Sequence, residues 1–125
     1  MLADHPVDLI LDVPDLDIAR AFYVDRIGLR VVREDDRGAV DLQTGGGRIA
    51  LRHNPDRGEE ELTRASWRVD DLTAELAELR SRGVTFKDYD LPGLGTINNV
   101  ADLGFAWATW FTDPAHNVIG VLQYK

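Results

Sequence analysis

The stretch FAWATWFTDPAHNVIGVLQ, residues 105–123, carries the strongest structural signal in the chain. Two β-forming runs, 107–112 and 117–123, flank Asp113, Pro114, Ala115 and His116. This arrangement predicts a β-hairpin: Asp113 starts the turn by bonding its own backbone, Pro114 presets φ, and apolar alternation resumes after the turn.

Working outward, the hairpin closes a pattern that is written twice. In the first copy Leu9, Leu11 and Val13 alternate with Asp8, Ile10 and Asp12, the period of a strand with one face committed to a core. Pro14 stops that strand and Asp15 is placed to cap a helix. The helix carries Leu16, Ala19, Phe22, Tyr23 and Ile27 at helical spacing and ends at Gly28. Strands are then expected over 29–34, 39–43 and 48–52, with Asp36, Arg37 and Gly38 making one turn and Gly45, Gly46 and Gly47 the next.

The polar, acidic segment 54–63, which includes Glu59, Glu60 and Glu61, reads as a linker. Beyond it Val69, Asp71 and Leu72 repeat the relation of Val13, Asp15 and Leu16 about 56 residues downstream, and a stripe of Leu72, Leu76 and Leu79 runs to Gly83. Residues 84–89 answer 29–34, 106–112 answer 39–44, and Ile119 with Val121 answers Ile49 with Leu51. The asymmetry is 90–104, read as a long loop on Pro92, Gly93, Gly95 and Gly104. The predicted class is α+β: two tandem β-α-β-β-β modules, about 5–53 and 64–125, form one domain. Their curved, mostly antiparallel sheet surrounds a cavity and carries the helices on its outer face. Two copies are too few for a solenoid and suit a pseudo-symmetric pair.

Composition narrows the function. At 125 residues, 14.0 kDa and 44% hydrophobic content the chain holds one domain's core. A formal charge of −8 repels a phosphate backbone, so nucleic acid is not an expected partner. No apolar run approaches the roughly 20 residues that span a bilayer, and no signal peptide is visible, so no membrane partner and a cytoplasmic location are expected. Zero cysteines exclude disulfides, thiolate metal sites and a Cys nucleophile.

The motifs Val13-Pro-Asp-Leu16, Phe22-Tyr23 and Gly28-Leu29, repeated as Val69-Asp-Asp-Leu72 and Gly83-Val84, resemble the vicinal oxygen chelate superfamily. This is the fold of glyoxalase I, extradiol dioxygenases and bleomycin-resistance proteins. Tyr89-Asp-Leu-Pro-Gly93, Trp110-Phe111-Thr-Asp113-Pro114 and Asn117-Val118-Ile119 strengthen the resemblance. Where many relatives have Asp-Gly in the hairpin turn, this chain has Ala115-His116; His116 is expected to take glycine's place, since His tolerates positive φ better than most residues.

The resemblance implies four metal-ligand positions, which here are Asp8, Ala50, Arg64 and Gly120. Only Asp8 offers a donor to a divalent ion; Ala and Gly have none and Arg repels it. No metal and no other cofactor is therefore expected, and His5, His53 and His116 lack the spacing to rebuild a site. Asp8 and Arg64 hold symmetry-related positions, as do Asp12 and Arg68. Such pairs either lock the modules together or position a polar ligand group.

Asp8, Ile10 and Asp12 are assigned to the concave face, where Ala50 and Gly120 leave room. Trp67 is assigned to the core. By analogy with Asp41 and Gln43, Trp107, Thr109 and Phe111 are assigned to the cavity, although a slip of one residue would exchange them for Ala106, Ala108 and Trp110. The expected ligand-binding set is Asp8, Ile10, Ala50, Arg64, Arg68, Trp107, Phe111 and Gly120.

Two functions follow from the resemblance. One is a metal-independent small-molecule-binding protein of the bleomycin-resistance type, holding a planar or apolar ligand. The other is a metal-independent isomerase, cyclase or lyase using Asp8 as base beside Arg64, a pairing that weakens the base by lowering its pKa. By analogy with relatives the protein is expected to be a homodimer.

Overall fold

A computed structural model describes residues 1–36, 38–58 and 60–125. It places them in two compact units, Met1–Glu59 and Glu60–Lys125. Arg37 of the expected turn and Glu59 of the acidic linker lie outside the described residues. No described helix is long and apolar enough to cross a membrane.

The first unit follows the expected order: β1 (Asp8–Val13), α1 (Leu16–Ala21), β2 (Arg30–Asp35), β3 (Ala39–Gln43) and β4 (Arg48–His53). Its sheet runs β1-β4-β3-β2, with β1 parallel to β4 and the other neighbours antiparallel. Asp15 caps α1 by accepting from the backbone N–H of Ile18 at 3.0 Å, satisfying a donor that the first turn leaves open. The helix then widens into a π turn over Phe22–Arg26, in which Ile27 N–H reaches back to the Phe22 carbonyl, before Gly28 stops it at φ 86°. The face of the sheet toward α1 buries Leu11, Val13, Leu42 and Leu51 with Tyr23. Each contributes about 1.5–3 kcal/mol by leaving water.

The second unit contains β5 (Thr63–Arg68), α2 (Leu72–Ser81), β6 (Asp90–Leu91), β7 (Leu94–Ile97), β8 (Val100–Asp102), β9 (Ala106–Thr112) and β10 (Val118–Tyr124), in the order β5-β10-β9-β8-β7-β6. Asp71 caps α2 as Asp15 caps α1, accepting from Ala74 N–H at 3.1 Å. Gln123 adds a second cap from the sheet, its Oε1 accepting from Leu72 N–H at 2.8 Å.

Two expectations are corrected in this unit. Residues 84–89 do not form a strand; they touch β9 through one bridge, Phe86 to Phe111, and through Lys87 N–H donating to the Trp110 carbonyl at 2.8 Å. The expected long loop 90–104 is instead a meander of β6, β7 and β8. Its hairpin turns on Asn98 and Asn99, both at positive φ (53° and 69°), between paired Ile97 and Val100. Two left-handed residues in a row form the tight hairpin turn that matches strand twist. Strands of two to four residues cannot display an alternating pattern, so the turn-forming residues dominated the sequence reading.

The 105–123 hairpin forms as expected. Asp113, buried, accepts from the backbone N–H groups of Ala115 and Asn117 and from Asn117 Nδ2, each at 2.9 Å. His116 adopts φ 66°, the glycine-like conformation.

Candidate functional site

In each unit a helix packs on one sheet face and no described helix of that unit packs on the other, the uncovered face, and register decides which side chains stand on it. In unit 1, β1–β4–β3–β2 pairing sets up rows across that face: Asp8–Arg48–Gln43–Arg30, then Ile10–Ala50–Asp41–Arg33. Paired residues project to the same side, so Asp8, Ile10 and Ala50 share a face. Ile10 is 60% exposed there, while Ala50 is buried at its foot.

Asp41 is the feature of this face that sequence reasoning did not single out. It is buried, and it accepts from Arg52 Nη1 at 3.1 Å and Arg33 Nη1 at 3.4 Å. Burial alone would raise its pKa; the hydrogen bonds and charges of Arg52 and Arg33 outweigh that and hold the carboxyl below the ordinary value. Arg33 is the register partner of Asp41 on β2, while Arg52 reaches it diagonally from beside Ala50 on β4, so finding the cluster required the ladder.

A depressed carboxyl stabilises the fold fully above its unfolded value of about 3.9 and loses that contribution as pH falls through the lower folded value. Acid unfolding of Asp41→Asn is accordingly expected to have a flatter pH dependence below about pH 4 than the parent, measured by urea midpoint at several pH values. Equal slopes would remove Asp41 from this role.

A cleft of about 510 Å³ opens at one end of the same face, lined by Pro6, Asp8, Gln43, Gly46, Gly47 and Arg48. Its glycine wall is fixed by Gln43, whose Nε2 donates to the carbonyls of Thr44 and Gly47 at 2.9 and 3.1 Å.

In unit 2 the face assignment of the hairpin is corrected. Gly120 pairs with Ser66 on β5 and with Trp110 on β9, and a Cβ built on Gly120 would meet Ser66 Oγ at 3.0 Å and Trp110 Nε1 at 3.4 Å. Gly120, Ser66 and Trp110 thus share one face. Gln123, which caps α2, is the partner of Trp107, so Trp107, Thr109 and Phe111 project toward the helix side. Phe111 is 1% exposed and meets Phe86 edge-on at 6.2 Å. The slip of one residue therefore applies, and Trp110 replaces Trp107 and Phe111 as the β9 aromatic of the uncovered face.

The room expected at Gly120 is also corrected, because Ser66 and Trp110 close over the missing side chain. Trp110 is half-buried and packs edge-on against Tyr89 at 5.2 Å. Lys87, ion-paired to Glu61, lies 5.8 Å over the Tyr89 ring. Trp67, assigned to the core, pairs with Val121 on the helix side and is half-buried.

Arg68 pairs with Leu122 and stands one row along from Ser66 on the Trp110 face. Arg64 is the residue at which the β5–β10 ladder slips: Val118 pairs with Thr63 and Ile119 with Ala65. This bulge interrupts the alternation from which its direction was expected.

A metal does not fit the residues at the superfamily's ligand positions. Asp8 faces Arg48 across the ladder, Ala50 and Gly120 have no donor, and Arg64 is a cation. Among the described residues no group of three or more His, Asp or Glu side chains is placed to hold one.

Comparison with known proteins agrees with the topology. The chain belongs to the Glyoxalase/Bleomycin resistance protein/Dioxygenase superfamily, whose model matches residues 4–121. No curated protein matches it significantly. Among solved structures, a glyoxalase/bleomycin resistance protein/dioxygenase from Alicyclobacillus acidocaldarius aligns with TM-score 0.73 at 19% identity, covering 97% of this chain and 92% of that one. TnmS3, an antibiotic binding protein from Streptomyces sp. CB03234, aligns with TM-score 0.67 at 23% identity over 97% and 96%. Lactoylglutathione lyase from Agrobacterium tumefaciens aligns with TM-score 0.68 at 18% identity over 95% and 92%. At these identities the likeness concerns the fold.

Proposed function

We propose that this protein binds a small, planar, largely apolar molecule without a metal ion. The observation that carries the reading is the Trp110–Tyr89 corner on a sheet face that no described helix of its unit covers, beside Ser66 and Gly120. Aromatic edges and faces recognise flat apolar ligands through dispersion and quadrupole interactions, and polar neighbours fix their orientation. Ser66, Arg64 and Arg68 are assigned to binding in unit 2, with Gly120 as the floor beneath Ser66 and Trp110. Asp8, Ile10 and Ala50 are assigned in unit 1. The description of TnmS3 as an antibiotic binding protein supports a small-molecule-binding role. The family resemblance adds a homodimer acting in the cytoplasm, the oligomeric part of which sedimentation velocity checks.

Titration of intrinsic tryptophan fluorescence with a panel of planar compounds is expected to give a saturable change that EDTA leaves in place. The chain has three tryptophans. Trp110→Phe is expected to abolish most of the signal and weaken binding about tenfold, a loss of one good aromatic contact of ~1.4 kcal/mol, whereas Trp107→Phe keeps both. A panel-wide absence of saturation overturns the proposal.

A further inference from the structure

The cations of this protein are sorted in an uneven way. Most of the described arginines and lysines are engaged: Arg20 with Glu34 at 2.6 Å, Arg33 and Arg52 with Asp41 at 3.4 and 3.1 Å, Arg80 with Asn99 Oδ1 at 2.6 Å, Arg82 with Glu78 at 2.9 Å and Lys125 with Asp102 at 2.7 Å. Arg26 and Arg57 also have partners. Among the described residues, four exposed arginines have no hydrogen-bond or ion-pair partner within their own units: Arg30, Arg48, Arg64 and Arg68. Arg30 and Arg48 flank Gln43 on the uncovered face of unit 1, and Arg68 stands on that of unit 2. Arg64 is at the bulge of the same strand as Arg68.

Shortage of acids does not explain this. The chain has 22 acidic against 14 basic residues, so acids outnumber the cations they could pair with. A guanidinium left unpaired in an acidic protein costs little in water, but it keeps five donors and a positive charge available to a ligand. On the unit 2 face that charge lies one row from the Ser66–Gly120–Trp110 row.

We infer that the planar ligand of the Trp110 face carries an anionic group, a carboxylate or phenolate on an aromatic ring, which Arg68 receives while the ring lies against Trp110. This rests on the small-molecule reading above and adds the charge of the ligand to it. Arginine suits the task because its planar fork meets a carboxylate through two parallel hydrogen bonds and also stacks on flat rings. The overall charge of −8 would otherwise disfavour an anion, so a local arginine is what makes such a ligand acceptable.

The test uses a matched pair, 2-naphthoate and its methyl ester, titrated into the full chain and followed by tryptophan fluorescence and calorimetry. The acid is expected to bind at least tenfold more tightly than the ester, with the difference shrinking as salt rises. Arg68→Gln should bring the two affinities together, Arg68→Lys should keep part of the preference, and circular dichroism should show both variants folded. If the ester binds as tightly as the acid, or if Arg68→Gln leaves the preference intact, the inference is overturned and the small-molecule reading stands. Saturation by uncharged planar compounds, with neither member of the pair saturating, likewise overturns the inference and spares that reading. If no planar compound of either kind saturates, both fall together.

Discussion

Phe111→Ala is expected to destabilise the protein by about 3–5 kcal/mol, the range for truncating a fully buried phenylalanine. Phe111 lies opposite Ile119 on β10, with 1% and 0% of their surfaces exposed, and its ring meets that of Phe86 at 88°. The bridge between Phe86 and Phe111 is also the single ladder contact that ties the 84–89 segment to β9, so the cavity would open where the sheet is thinly held. For a chain of this size the loss lowers Tm by roughly 10–20 °C, at roughly 4 °C per kcal/mol. Urea unfolding followed by circular dichroism measures it. A loss below about 1 kcal/mol, typical of a substitution away from the core, would return Phe111 to a ligand-facing position. Trp107→Ala is the control. Trp107 is 39% exposed and packs under Lys125 Nζ at 4.1 Å, so its removal should cost about 0.5–1 kcal/mol beyond its modest burial.

Asp113→Ala is the second large effect. The carboxylate is 4% exposed and accepts from two backbone N–H groups and one side-chain amide, closing the hairpin turn from inside. Alanine leaves the Ala115 and Asn117 N–H groups buried without that acceptor, at about 1–3 kcal/mol each, and the expected loss is about 2–5 kcal/mol. Asn at the same position retains one acceptor oxygen and should lose less. The urea midpoint should fall with the slope unchanged, since the surface exposed on unfolding is the same. A midpoint within error of the parent's would mean that water satisfies the turn.

These two variants separate what each part of the hairpin does. Pro114 and Asp113 made the turn readable because they act locally, through φ and through a side chain bonding nearby backbone. His116 at φ 66° followed from the same local logic. Phe111 was not readable in the same way. Alternation divides β9 into two faces but does not say which face meets the helix, and the analogy with Asp41 and Gln43 chose the wrong one. The 90–104 meander escaped for a different reason: its strands are held by neighbours rather than by an apolar period of their own.

The sequence by itself determined the repeated modules, both Asp-capped helices with their glycine stops, the terminal hairpin and the lack of metal-donor groups in Ala50, Arg64 and Gly120, at positions where the family resemblance implies metal ligands. All of these depend on residues close in the chain, or on the bare chemistry of a side chain. Only the tertiary structure decided that Trp110 rather than Trp107 or Phe111 stands on the uncovered face, that Ser66 and Trp110 fill the space above Gly120, and that Asp41 gathers Arg33 and Arg52. Each of those depends on ladder register. A shift of one residue in register moves every side chain of a strand to the opposite face while leaving its local sequence unchanged.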